Sequence, residues 1–181
     1  APPAVKYAKP AQLATKWLLD HPDDSRMQFY LARSYQDAGQ LEPALREYTT
    51  RVAMLNGWDE ERSYAAYQIG LIRIQLGQDP TSDLLLAAGL GVPKAEPFVA
   101  LARWYRDDAR RQFSTAMLFA QRGAEIPQPV SALFTVPSVY QFEAAAEVAI
   151  CAYWLGQKQD ALARFEELLP RVPPDRRRWA E

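Results

Sequence analysis

The chain has 181 residues, of which 49% are apolar and 24% charged, so it can form a soluble domain with a substantial core. Its formal net charge of −1 gives no electrostatic reason to expect nucleic acid or a membrane surface as a partner. The single cysteine, Cys151, cannot form an internal disulfide, which favours a reducing compartment and hence the cytoplasm.

The first predicted element is an amphipathic helix from Pro10 to Asp20, which His21-Pro22 ends. In the register of the later segments it is the second helix of a half repeat, over residues 9–24, whose first helix is missing. The chain is therefore expected to begin partway through something larger. A lone N-terminal capping helix is the alternative.

Residues 25–62 carry the arrangement of small, large and turn residues that is typical of a helix–turn–helix repeat of roughly 34 residues. Gly39 suits the left-handed position that ends a first helix, and a second helix is predicted from about Glu42 to Met54. The pattern residues are Leu31, Ala32, Tyr35, Ala44 and Tyr48.

Three further repeats are predicted over residues 63–94, 95–125 and 142–175. The repeat at 63–94 is divergent, with Arg73 in place of a tyrosine, and the next opens its first helix with Pro97. The turn of that third repeat, Asp107 to Gln112, is longer than the others and lacks their glycine.

An irregular insert over residues 126–141 separates the third and fourth repeats. It holds prolines and no repeat periodicity, but it is too apolar to lie free in solvent, so an ordered loop over the edge of a core is expected. The apolar residues are Leu133, Phe134, Val136 and Tyr140.

Together these segments predict an all-α fold: a right-handed, tetratricopeptide-repeat-like solenoid of about nine antiparallel helices, with no strands, as a single domain over residues 1–181. Stacked helix pairs mostly form binding surfaces rather than catalytic sites.

An ordered series of motifs resembles the tetratricopeptide-like region that follows the catalytic domain in many bacterial family-2 (GT-A type) glycosyltransferases. The likeness covers roughly residues 12 to 170. The motifs are Phe29 to Gly39, Tyr48-x-x-Arg51, Gly57-Trp58-x-Glu60-Glu61, Ala95-Glu96-Pro97, Leu101 to Arg106, Phe119-Ala120-x-Arg122-Gly123, Glu125-Ile126-Pro127-x-Pro129, Leu133-Phe134 and Val139-Tyr140.

The resemblance implies a non-catalytic interaction module in the C-terminal part of such an enzyme. It would bind an acceptor protein or glycan, or the enzyme's own catalytic domain, or it would mediate self-association as a homodimer. The Asp-x-Asp element that holds metal and nucleotide-sugar in the catalytic domain is missing. The alternative is a free-standing scaffold or adaptor that binds a peptide segment in a concave groove.

The sequence offers no credible catalytic, metal or cofactor site. The only histidine, His21, and Cys151 lie 130 positions apart, and neighbouring carboxylates such as Glu60-Glu61 suit helix starts better than acid–base work. The run Arg176-Arg177-Arg178 is interpreted as a solvated end of the chain. We therefore expect no enzyme activity and no cofactor.

The candidate binding residues lie on the first helix of each repeat, which lines the concave side of such superhelices. Arginines at both ends with tyrosines between them would suit an extended acidic peptide. Ion pairs of Arg33 with Asp37 and of Arg103 with Asp107 are the competing interpretation. The candidate residues are Arg26, Phe29, Arg33, Tyr64, Tyr67, Arg103 and Arg106.

Trp58 lies in a turn between two predicted helices, directly after Gly57 and before acidic residues. It is interpreted as a clamp of the packing between repeats. Stacking on a sugar or a peptide is the alternative.

Overall fold

A computed structural model describes residues 3–130 and 134–174, with side chains from residue 9 onward. This part of the chain contains nine α-helices and no strand, which confirms the predicted all-helical repeat fold. The helices are α1 (Pro3–Asp20), α2 (Ser25–Asp37), α3 (Leu41–Ala53), α4 (Asp59–Gln75), α5 (Thr81–Gly89), α6 (Glu96–Arg106), α7 (Phe113–Glu125), α8 (Ala144–Trp154) and α9 (Lys158–Leu168). None of them is long and apolar enough to cross a lipid bilayer.

The chain divides into two compact units, Ala1–Gly91 with helices α1 to α5 and Val92–Glu181 with helices α6 to α9. Each predicted full repeat corresponds to one pair of helices, α2 with α3, α4 with α5, α6 with α7 and α8 with α9. The helices of each pair pack against each other because their facing positions are apolar and often small.

In the first unit each helix packs on the next one along the chain, from α1 to α5. Ala44 and Tyr48 are fully buried on α3, which is the small–large alternation expected from the sequence. Gly70 lets α4 approach α5 closely, since a Cβ there would lie 2.5 Å from Leu84. Asp24 starts α2 by accepting a hydrogen bond from the amide of Met27 at 2.9 Å.

Helix α1 differs from the sequence prediction at its start. The helix begins at Pro3 rather than Pro10, and it runs through Pro10. Proline lacks the amide hydrogen for one helical bond, so sequence rules place a boundary there. Packing of Ala11 and Ala14 against Leu31 of α2 nevertheless fixes this helix on its neighbour.

In the second unit α7 packs between α6 and α8, and α8 packs on α9. A buried cluster of Ala102, Ala120 and Val148 joins the first three of these helices. The rings of Tyr105 and Phe119 stack beside it, with 5.6 Å between their centroids.

The insert after α7 is anchored to the start of α6 by one buried carboxylate. Glu96 accepts hydrogen bonds from the Val136 amide at 2.7 Å and from the Tyr140 hydroxyl at 2.6 Å. A π-helical turn, Val139–Glu143, then leads into α8, so helical structure begins before the predicted start at Phe142. Leu133 and the Arg176-Arg177-Arg178 run lie outside the described residues.

Candidate functional site

Helix α2 carries an exposed stripe of alternating cationic and aromatic side chains. Arg26, Tyr30 and Arg33 follow one another at spacings of four and three residues, which places them on one helix face. The side chains of Arg26 and Arg33 are 66% and 49% exposed, and Tyr30 is 44% exposed. The stripe is therefore open to a ligand along two turns of α2.

Helix α4 lies beside this stripe and contributes Tyr64 and Tyr67, both half-buried. Their ring centroids are 6.4 Å apart, and Tyr64 lies 6.0 Å from Phe29 of α2. Burial raises the pKa of Tyr64, so its hydroxyl stays neutral at physiological pH. We call the surface formed by Arg26, Tyr30, Arg33, Tyr64 and Tyr67 the α2–α4 face.

Phe29 does not belong to this face, in contrast to the sequence expectation. Its side chain is 1% exposed and makes an edge contact with the ring of Tyr48, with 6.1 Å between centroids. The ring fills the core between α2 and α3, so a ligand cannot contact it. Helical spacing gives the direction of a side chain but does not give its depth.

The two arginines of the α2–α4 face are held loosely by acids. Arg26 lies 3.5 Å from Glu61, and Arg33 lies 3.9 Å from Asp37. The second contact is the ion pair that the sequence offered as the competing interpretation. The pair of Arg33 with Asp37 is exposed on both sides and contributes little to stability, whereas Glu61 is 6% exposed. Both guanidinium groups keep donors that a ligand carboxylate can use.

The two arginines of α6 are instead engaged by helix α8. Glu147 is 3% exposed and accepts hydrogen bonds from Arg103 at 2.7 Å and from Arg106 at 2.5 Å. Arg103 also binds Glu143 at 2.8 Å. The hydrogen bond to Glu147 raises the pKa of Arg106. These arginines hold α6 to α8.

The alternative ion pair of Arg103 with Asp107 is not formed. Asp107 instead pairs with Arg110 at 3.2 Å and accepts a hydrogen bond from the Ala109 amide at 3.0 Å. Because the true partner of Arg103 lies 44 residues away in sequence, local spacing could not identify it.

Trp58 stands at the start of α4, where the residue is 43% exposed. Its backbone carbonyl, rather than its ring, makes the described contact with α3: it accepts a hydrogen bond from Arg51 at 3.1 Å. Arg51 also lies 3.6 Å from Glu61. Gly57 makes this arrangement of the loop possible. Its φ is +86°, and a Cβ at this position would lie 2.2 Å from the hydroxyl oxygen of Ser25.

Sequence reasoning missed the role of Arg51, whose side chain is fully buried. A signal was present: a single arginine three residues after Tyr48, followed by the Gly57-Trp58-x-Glu60-Glu61 motif. The structure shows that Arg51, Trp58 and Glu61 belong to one linked set of contacts, which fixes the connection between α3 and α4.

The residues that could carry chemistry are placed in ordinary structural settings. Cys151 is buried in α8, and burial raises the pKa of its thiol to about 11, so it is a poor nucleophile at neutral pH. His21 stacks on Trp17, with 4.0 Å between ring centroids. Within the described ranges, no group of three or more His, Cys, Asp or Glu side chains could hold a metal ion.

The sequence matches no protein-family model and no curated protein. Among solved structures, the fold is similar to that of MamA protein, with a TM-score of 0.67, 16% identity and coverage of 89% of this chain and 80% of the other.

It is also similar to a putative kinesin light chain from Podosopora anserina with nearly identical TPR-like repeats, with a TM-score of 0.57, 17% identity and coverage of 93% and 95%. A variant of that protein with one substitution gives a TM-score of 0.56 with 16% identity and coverage of 94% and 96%. These similarities show the tetratricopeptide-like repeat fold.

Proposed function

We propose that this chain is a non-catalytic interaction module whose α2–α4 face binds an acidic segment of a partner protein. One contrast carries the proposal. Arg26 and Arg33 are exposed and contact acids only at 3.5 and 3.9 Å, whereas Arg103 and Arg106 are engaged by Glu147 at 2.7 and 2.5 Å. Arg103 is itself 46% exposed, so the difference lies in the acid contacts: the predicted groove arginines with the longer acid contacts lie in the first unit.

The spacing of the two arginines indicates the shape of the ligand. Arg33 follows Arg26 by seven positions, which corresponds to roughly 10 Å along the axis of α2. In a peptide with the polyproline II conformation, which rises about 3.1 Å per residue and has three residues per turn, this distance spans about three residues, and side chains three residues apart lie on the same side. A segment with two carboxylates three residues apart would reach both guanidinium groups, and an apolar side chain between them would contact Tyr64 or Tyr67.

A second part of the proposal concerns the larger protein to which the module belongs. The ordered motifs from Phe29 to Tyr140 support a place after the catalytic domain of a bacterial family-2 glycosyltransferase. There the module would bind an acceptor protein or glycan, contact its own catalytic domain, or associate with a second copy in the cytoplasm. A free-standing adaptor remains the second candidate, and the repeat fold is compatible with it.

The binding test uses a fluorescein-labelled decapeptide with two glutamates three residues apart and a leucine between them. Its affinity for the full chain is measured by fluorescence anisotropy. We expect Arg26→Gln and Arg33→Gln to weaken binding at least fivefold each, because each removes one charge-assisted hydrogen-bonded pair. Arg46→Gln is the matched control, since Arg46 is an exposed arginine on α3 outside the face.

Equal affinity of wild type, Arg26→Gln and Arg33→Gln would contradict the proposal, and so would equal binding of a peptide with glutamines in place of glutamates. The parentage is tested separately by immunoblotting the natural polypeptide in its source cells. A species of at least about twice the mass of this chain supports an enzyme context, and a species of about its own mass supports the adaptor.

A further inference from the structure

The turn within each pair of helices is closed by the same backbone hydrogen bond. In three of the four described turns a glycine with positive φ precedes a glutamine, whose amide bonds back to a carbonyl five residues earlier. The glycines are Gly39, Gly77 and Gly156, with φ of 75°, 68° and 84°. The bonds run from Gln40 to Tyr35, from Gln78 to Arg73 and from Gln157 to Ala152, at 2.8 to 2.9 Å.

The turn between α6 and α7 keeps this bond but replaces the glycine by Arg111. Gln112 donates to the Tyr105 carbonyl at 2.9 Å across a turn that is two residues longer. Arg111 has a φ of 52°, a conformation in which a side chain is strained and glycine is not. The turn therefore carries an arginine where its own geometry would favour glycine.

The side chain of Arg111 extends over two aromatic rings. Its guanidinium lies 5.3 Å from the ring centroid of Trp154 and 5.9 Å from that of Phe113. These two rings stack in parallel, 5.3 Å apart, and Tyr153 makes an edge contact with Trp154. Tyr153 and Trp154 remain 48% and 51% exposed. We call Arg111, Phe113, Tyr153 and Trp154 the turn patch.

No acidic side chain of the described residues pairs with the guanidinium of Arg111. Asp107, an acid of the same turn, pairs with Arg110 instead, at 3.2 Å. Stacking of Phe113 on Trp154 does not need a cation, and closure of the turn does not need a side chain. Within the part of the chain that the structure describes, the charge of Arg111 thus has no carboxylate partner.

We propose that the turn patch is a second binding surface, which takes a carboxylate-bearing segment of a partner protein. The segment's acidic side chain pairs with the guanidinium of Arg111, and a neighbouring apolar side chain covers the exposed parts of Tyr153 and Trp154. The argument for this occupant is charge complementarity beside exposed aromatic area. The turn patch lies in the second unit and shares no residue with the α2–α4 face.

The test uses two substitutions that suit the left-handed position. Arg111→Asn and Arg111→Gly both remove the charge, and asparagine and glycine are the residue types that tolerate this backbone conformation best. Arg122→Asn is the matched control, because Arg122 is an exposed arginine of α7 whose described ion pair is with Glu125, at 3.4 Å. The probe is a fluorescein-labelled hexapeptide of three glutamates, two leucines and a phenylalanine, beside its glutamine counterpart.

We expect the glutamate peptide to bind at least tenfold more tightly than the glutamine peptide. The comparison is made in a chain that also carries Arg26→Gln and Arg33→Gln, so that the α2–α4 face does not mask the result. There both Arg111 variants should weaken binding of the glutamate peptide at least fivefold without lowering Tm, and Arg122→Asn should change it less than twofold. Unchanged binding by both Arg111 variants overturns the inference, as does equal binding of the two peptides.

The same peptide separates this inference from the function proposed for the first unit. If Arg26→Gln and Arg33→Gln abolish binding while the Arg111 variants bind like wild type, the α2–α4 face stands and the turn patch does not. If only the Arg111 variants lose binding, the turn patch stands alone.

Discussion

A buried arginine organises the connection between the first two full repeats. Arg51 is fully buried, and it donates hydrogen bonds to the carbonyls of Met54 and Trp58 at 3.3 and 3.1 Å. Burial lowers the pKa of Arg51, and the nearby charge of Glu61 acts in the opposite direction. A buried charge requires hydrogen-bonding partners at fixed positions. The conformation of the loop that supplies these partners is therefore constrained at each of its residues.

Gly57 is the residue in this connection that should tolerate change least. Gly57→Ala combines a left-handed backbone with a Cβ placed 2.2 Å from the hydroxyl of Ser25, so we expect a loss of about 2–4 kcal/mol of unfolding free energy. Gly39→Ala is the matched control, since its φ is +75° but no atom lies within 4 Å of the added carbon. It should cost only about 1 kcal/mol.

Urea unfolding of both glycine variants measures these losses. Equal destabilisation by the two substitutions would mean that backbone conformation alone, and not the contact with Ser25, sets the cost at position 57.

Cys151 should make stability depend on alkaline pH. Burial raises the pKa of its thiol from 9.0 to about 11, so the folded state holds this proton more tightly than the unfolded state. The resulting stabilisation is present in full below pH 9 and is lost as pH rises from 9 to 11, by about 2 kcal/mol.

Urea unfolding at pH 8 and pH 10.5 checks this dependence against Cys151→Ala. The alanine variant should lose less stability between the two pH values, because it has no thiol to ionise. Identical losses in the two proteins would show that Cys151 does not contribute to the alkaline decline.

Between elements, one carboxylate of α8, that of Glu147, pairs with both arginines of α6. Glu147→Gln leaves two arginines without their shared acid, so we expect about 2–3 kcal/mol of destabilisation. Glu125→Gln is the matched control, because Glu125 is 68% exposed and its described ion pair is with Arg122. It should cost about 0.5 kcal/mol or less.

Thermal unfolding monitored by circular dichroism measures both glutamine variants. A Glu147→Gln protein as stable as Glu125→Gln would mean that packing, rather than the ion pairs, holds α6 to α8.

The pairs of helices could be predicted from the sequence because their signals are local. The small residues Ala44 and Ala161 and the turn glycines Gly39 and Gly156 fall at fixed offsets within one repeat, and the structure places them in buried positions and in left-handed turns, respectively. The start of α1 could not be predicted, since Pro10 gives a strong boundary signal but the helix runs through it from Pro3.

The candidate site was predictable only in part, for a related reason. Helical spacing groups Arg26, Arg33 and Tyr64, which the structure places on the α2–α4 face, but it could not show that Phe29 is buried. It also could not show that Arg103 and Arg106 meet Glu147, a contact between residues more than 40 positions apart. Partners at that distance follow from the packing of helices, which no local pattern encodes.

At the scale of the whole molecule, the described packing is almost entirely between helices that are adjacent or nearly adjacent in sequence. The stability of such a protein is approximately a sum over repeats and their nearest neighbours. A substitution should therefore act most strongly on the unit that contains it.

Native-state hydrogen exchange of Gly57→Ala tests this expectation. Amides of α2 to α4 should lose protection by about a factor of ten or more, while amides of α8 and α9 should change less than about threefold. A uniform loss of protection along the chain would instead indicate a single cooperative unit.

The bond from each glutamine amide back to the preceding helix has an evolutionary consequence. Because donor and acceptor belong to the same pair of helices, each pair closes its own turn without a closing hydrogen bond from a neighbouring pair. A gene segment that encodes one pair can be duplicated or deleted without breaking the turns of those that remain. Proteins of this kind can thus change length by whole pairs of helices, and the third turn keeps its closing bond although it is two residues longer than the others.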